Sequence, residues 1–135
     1  MKNIAIKEHH LYNKAYQKGN RYVGQYVCIY VMRDYSAKRL MLENPQKKYV
    51  NRIGLTVSKK LGGAVIRNRA KRIIREGFYS VSRLRPIKTG NLIVIAARSG
   101  AVGKKTADIE KELYSAFEYL KMFDCKKPEL DKQEL

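Results

Sequence analysis

Apolar residues recur along this chain at two spacings, and each change of spacing marks an element. Leu11, Tyr12, Ala15 and Tyr16 share one face of a short helix over residues 8–18, with Gly19 as its stop. From 25 to 33 (QYVCIYVMR) the pattern alternates. Val27, Ile29 and Val31 lie on one side of a strand, and Tyr26, Cys28, Tyr30 and Met32 on the other. Residues 34–48 collect Asp, Ser, Asn, Pro45, three lysines and an arginine, as an exposed loop would. Alternation returns over 49–58 (YVNRIGLTVS), with Ile53, Leu55 and Val57 inward and Arg52, Gly54, Thr56 and Ser58 opposite.

After Gly62-Gly63 the period becomes helical over 64–84, where Ile66, Ala70, Ile73, Ile74, Gly77, Val81 and Leu84 fall in one sector. Arg85-Pro86 ends that helix and Thr89-Gly90 turns the chain. The run NLIVIAAR (91–98) suits a buried strand, and 100–105 a loop. A last helix runs from a Thr106 cap to Phe123, striped by Ile109, Leu113, Ala116, Phe117 and Leu120. These elements predict a two-layer α+β domain over residues 1–123, helices against a small sheet, and a polar tail over 124–135.

Length and composition agree with one domain: 135 residues, 44% hydrophobic. Cys28, inside an apolar run, reads as a buried free thiol, and Cys125 makes no spaced pattern with it. That usage points to a reducing, cytoplasmic setting. No apolar window is long enough for a signal peptide or a membrane span, so no membrane partner is expected.

Charge changes the picture more. The chain has 29 basic and 12 acidic residues, a net +17. Residues 108–135 hold eight acids and five bases, leaving 24 bases against four acids in residues 1–107. Self-repulsion of that size weakens a compact state and calls for a polyanion, here nucleic acid. The charge concentrates on the helix AVIRNRAKRIIREGF (64–78), whose polar side carries Arg67, Asn68, Arg69, Lys71, Arg72 and Arg75 against Glu76 alone. Arg72 and Glu76 stand at i,i+4, a spacing that allows one ion pair. A merely solvated face mixes signs. Arg67, Lys71 and Arg75, four apart, instead form a ladder able to follow a phosphate backbone, with arginine's donor fork matched to phosphate.

The segment RIGLTVSKKLGGAVIRNRAKRIIREGF (52–78) closely resembles the signature of the bacterial ribonuclease P protein subunit. That family has a strand ending near SVSKK, a Gly-containing turn, and a helix built on RNR followed by KR-x-(I/L)-R. Here these are TVSKK (56–60), Arg67-Asn68-Arg69 and Lys71-Arg72-Ile73-Ile74-Arg75. Tyr12 and Tyr16 stand where the family has an aromatic pair, more often phenylalanine; Tyr30 matches a strand aromatic, and Gly63 replaces a frequent Asn. The resemblance spans residues 8–120. It implies the element order α-β-β-β-α-β-α in a ribosomal-protein-like fold with a left-handed βαβ crossover. It also implies an accessory role: a magnesium-dependent catalytic RNA removes the 5′ leader of precursor tRNA, and the protein binds that RNA and the leader while holding no cofactor of its own.

Two surfaces would serve that role. Lys59 and Lys60 join the basic helix as a contact for the catalytic RNA. Tyr12, Tyr16, Tyr26 and Tyr30, with Arg52, would line a cleft between first helix and sheet, where tyrosines stack on unpaired bases. A protein-only nuclease fits poorly, because Glu8, Asp34, Glu43 and Glu76 share no spacing that would gather them around magnesium. His9 and His10, adjacent in a helix, diverge and make a poor acid–base pair. A structural ribosomal protein would share the charge and fold class but has no reason to carry the 52–78 signature.

Overall fold

The computed structural model describes residues 2–6, 9–34, 49–88 and 90–123. The elements within them are β1 (Lys2–Ala5), α1 (His9–Lys18), β2 (Asn20–Val23), β3 (Val27–Arg33), β4 (Tyr49–Thr56), α2 (Ala64–Leu84), β5 (Asn91–Ala97) and α3 (Thr106–Tyr119). Short 3-10 turns lie at Lys59–Leu61 and Ser99–Ala101. The strands form one mixed sheet in the order β1-β4-β5-β3-β2. β3 is antiparallel to both β2 and β5, whereas β4 is parallel to β1 and β5. Parallel neighbours need a crossover, and α2 supplies it between β4 and β5.

The α+β class is as expected; the number of layers is not. Val27, Ile29 and Val31 of β3 and Ile93 and Ile95 of β5 are buried with Ile73, Ile74 and Phe78 of α2 and Ile109, Leu113 and Phe117 of α3. Their alternate neighbours Leu92 and Val94 face the other way, packed with Ala15, Leu11 and Tyr12 of α1. Helices therefore cover both faces, giving three layers instead of two. The first helix has the same period as the others, and no periodicity says which side of a sheet a helix will take.

The expected order gains a strand at its start. β1 and β2 have four residues each, KNIA and NRYV, too short for alternation to register. β1 lies along β4 in parallel, with a register shift between Lys2 and Ile4. Gly19 ends α1 as expected: its N–H reaches Ala15 O at 2.9 Å, and a Cβ there would stand 2.6 Å from that oxygen. α2 has the expected limits, yet Ile66 (43% exposed) and Leu84 (63%) leave the core and Phe78 enters it. The helix is longer than the sheet it crosses, so its end turns overhang.

α3 is capped differently from expectation. Thr106 is its first residue, and Asp108 folds back to accept the Lys105 N–H at 3.1 Å. The helix stops at Tyr119, and Lys121 takes a positive φ of 57° that carries Phe123 to a bridge with Ile87. Cys28 is a half-buried free thiol. Past Asp34 the expected loop 34–48 lies outside the described residues, as do the tail 124–135 and Cys125. Among the described residues, no helix is long and apolar enough to cross a membrane.

Candidate nucleic-acid interface

α2 is amphipathic by composition, and packing fixes which way its charges point. Ala70, Ile73, Ile74, Gly77, Phe78 and Val81 are buried, so Asn68, Arg69, Arg72 and Arg75 are exposed and Arg67 and Lys71 half-exposed. Arg67 Nε is shielded from solvent and has no hydrogen-bond acceptor among the described residues. Glu76 does not pair with Arg72 as the spacing allowed. Its carboxylate accepts from Thr106 Oγ1 at 3.1 Å, where the start of α3 passes close. Among the described residues, no base of α2 is within ion-pair distance of that carboxylate. Lys59 and Lys60 extend the cationic surface from the 3-10 turn just before it, where Ser58 Oγ accepts the Lys60 N–H at 3.2 Å.

The tyrosines occupy the other face of the sheet. Tyr16 of α1 meets Tyr30 of β3 edge to face, with ring centroids 4.9 Å apart at 76°. Tyr12 lies against the backbone of Gly54 in β4, where a Cβ would collide with its Oη. A side chain at 54 would therefore exclude the ring, so the glycine of RIGLTVS has a packing reason. Burial raises the Tyr12 hydroxyl above its ordinary pKa, with neighbouring Tyr16 adding to the shift. Burial likewise raises that of Tyr30, with smaller increases from Cys28 and Tyr16 against a lowering by Arg21. Both stay neutral phenols near pH 7, able to donate a hydrogen bond beside a stacking face.

These two surfaces meet. β1 pairs with β4 as far as Ala5 opposite Ile53, the Ile6 N–H donating to Ile53 O at 3.0 Å, and beyond that no described residue pairs with this edge of β4. A groove of about 310 Å³ fills the notch, with Ala5, Ile53 and Leu55 as floor, Tyr12 on one side and Lys71, Arg75 and Tyr79 on the other. By sequence the cleft and the helix are separate surfaces and Tyr79 belongs to neither; in the fold Tyr79 lines the groove that joins them. The signal was present: Lys71, Arg75 and Tyr79 continue one i,i+4 row.

Two expected cleft residues are elsewhere. Tyr26 precedes β3, in a turn held by α3: the N–H groups of Gln25, Tyr26 and Val27 donate to the Glu112 carboxylate at 2.5, 2.7 and 2.8 Å. Arg98 Nη1 holds the same turn by donating to Gly24 O at 2.5 Å. Strand alternation does not extend through it, so Tyr26 packs on the α3 side, with Lys104 Nζ 5.4 Å from its ring centre. Arg52 has the expected parity but is buried. Its Nε and Nη2 donate to the two Asp34 oxygens at 2.7 and 2.8 Å, and its side chain is 8% exposed. That fork joins the end of β3 to β4 and is not offered to a ligand.

His9 and His10 are exposed on α1. Among the described residues no three His, Cys, Asp or Glu side chains gather as a metal site would require. The acids near the sheet are committed within the protein: Asp34 to Arg52, Glu112 to three amides, Glu76 to Thr106.

Comparison with known proteins gives a consistent answer. The family model described as Ribonuclease P matches residues 1–121. The chain is 33% identical over 117 residues to the ribonuclease P protein component of Clostridium acetobutylicum, covering 87% of this chain and 88% of that protein. It is 34% identical over 112 residues to that of Geobacillus kaustophilus, covering 83% and 82%. A solved structure of the Staphylococcus aureus RNase P protein superposes with a TM-score of 0.68 at 29% identity, covering 91% of this chain and all of that one.

Proposed function

This chain belongs to the ribonuclease P protein family and is a subunit of the ribonuclease P endoribonuclease, and we propose how its two surfaces divide the work on RNA. The cationic side of α2, with Lys59 and Lys60, takes the phosphates of the catalytic RNA. Tyr16, Tyr30 and Tyr12 take the single-stranded 5′ leader of precursor tRNA. The observation that carries this reading is the notch at the end of β1, because it makes the two surfaces continuous. A strand stacked on Tyr16 and Tyr30 runs over Tyr12 into the notch and ends at the border of the cationic side of α2. Leader and catalytic RNA then lie on one protein at a fixed separation, which favours their encounter by pre-arrangement.

Magnesium belongs to the RNA in this reading. A hard cation needs several oxygen ligands, and the carboxylates of Asp34, Glu76 and Glu112 are held by protein donors. The protein's contribution is affinity and placement, in a cytoplasmic setting that a free thiol suits. The test is cleavage of a precursor tRNA at low magnesium with catalytic RNA alone, protein alone and both. Efficient cleavage at the mature 5′ end only with both is expected. Cleavage by the protein alone, or no gain from adding it, overturns the reading.

A further inference from the structure

The flank of α2 away from the tyrosines has an unexplained feature. Three aliphatic side chains stand in water on the most cationic part of the molecule: Val65 at 83% exposure, Ile66 at 43% and Val102 at 39%. Leaving such area hydrated forgoes stabilisation that burial would give. Ile66 and Val102 border a slot of about 170 Å³ between α2 and the loop after β5, with Ala70, Ile73 and Ala101 deeper and the exposed Arg69 along one side. Gly62, at φ 147°, lies under Ile66, where a Cβ would come within 2.9 Å of Ile66 Cδ1. Gly103, at φ 80°, turns the opposite wall.

Its chemistry selects an occupant. Apolar walls reject a phosphate but accept the face of a heterocyclic base, and a guanidinium beside them stacks on that face. Among the described residues, the one charged side chain lining the slot is the exposed Arg69, on a helix whose polar side is cationic, complementary to a polyanion and not to a basic or neutral peptide. Around the helix, Arg69 stands about 160° from Lys71 at 100° per residue, so the slot points away from the leader groove. We propose that it receives one unpaired, unstacked base of the catalytic RNA. This rests on the reading that α2 docks that RNA, and it adds a contact that is apolar where the arginines are ionic.

That difference is measurable. Ile66→Ser with Val102→Ser should weaken binding of full-length protein to catalytic RNA by about tenfold, within the range of one stacked base, by the same factor at every salt concentration. Arg67→Ala with Arg75→Ala should instead flatten the salt dependence. Chemical probing of the RNA 2′-hydroxyls should show an unpaired nucleotide protected by the wild-type protein and by the arginine variant but not by the slot variant. Val102→Ser alone, in a loop, repeats the measurement without touching the helix. Unchanged affinity with no loss of protection, or a loss visible only as a changed salt slope, overturns the slot. Wild-type protein that fails to bind the catalytic RNA overturns the parent reading as well.

Discussion

Beneath α2 and α3 the sheet is sealed, with Ile29, Ile93 and Ile95 fully buried against Ile74, Leu113 and Phe117. Beneath α1 it is only partly covered: Ala15 is that helix's one buried residue, Tyr12 and Tyr30 are half-exposed, and Tyr16 is 38% exposed. The same strands supply both faces by alternation, so the contrast comes from the helices. Twenty-one and fourteen residues cover one side and ten cover the other. A short helix is enough to orient aromatic side chains and too small to bury them. One face therefore carries stability and the other keeps stacking surface available at modest cost.

Arg52 gives the largest test of that division, because it lies on the tyrosine side by parity yet belongs to the packing. Arg52→Ala should destabilise the fold by about 3–5 kcal/mol, the usual result of leaving one member of a buried pair alone, as read by denaturant midpoints. Unchanged stability with lost leader binding would return Arg52 to the cleft. Tyr16→Ala is the converse. It should remove about 1–3 kcal/mol of precursor tRNA affinity, one stacking platform, with little change for mature tRNA and an unfolding loss near that of one ring pair, about 0.5–1.5 kcal/mol. Equal losses for both tRNAs would mean the open face is only loosely packed core.

The smallest effect probes the sealed face. A Cβ on Gly77 would stand 3.4 Å from Glu110 N, Ile109 Cγ2 and Leu113 Cδ1, ordinary contact at the α2–α3 crossing. Gly77→Ala should then stabilise by about 0.5–1 kcal/mol through helix propensity, raising the urea midpoint. A lower midpoint would show a seam too tight for one methyl group.

What could be read beforehand depended on length and locality. α2, α3, β3 and β5 carry their period over seven or more residues, and their apolar faces are the ones packed. β1 and β2 do not, and neither their existence nor the notch left by β1 follows from four residues apiece. The cationic face of α2 was legible because a helix fixes side-chain directions from within. Tyr26 and Arg52 were misread because their surroundings come from afar: Glu112 bends the chain at Tyr26 from 86 positions away, and Asp34 takes up Arg52 from 18.

The hold of Glu112 on residues 25–27 also sets a schedule. The β2–β3 turn has its three amides answered by a residue 85 to 87 positions later in the chain. At translation rates of about 5–20 residues per second, that partner is made about 4–17 s after the turn itself. For that interval a nascent chain has both hairpin strands but not the carboxylate that fixes the bend between them. Long-range closures of this kind are slow steps, so the hairpin is among the first segments synthesised and among the last completed. Glu112→Gln should therefore act on refolding rate as well as on stability.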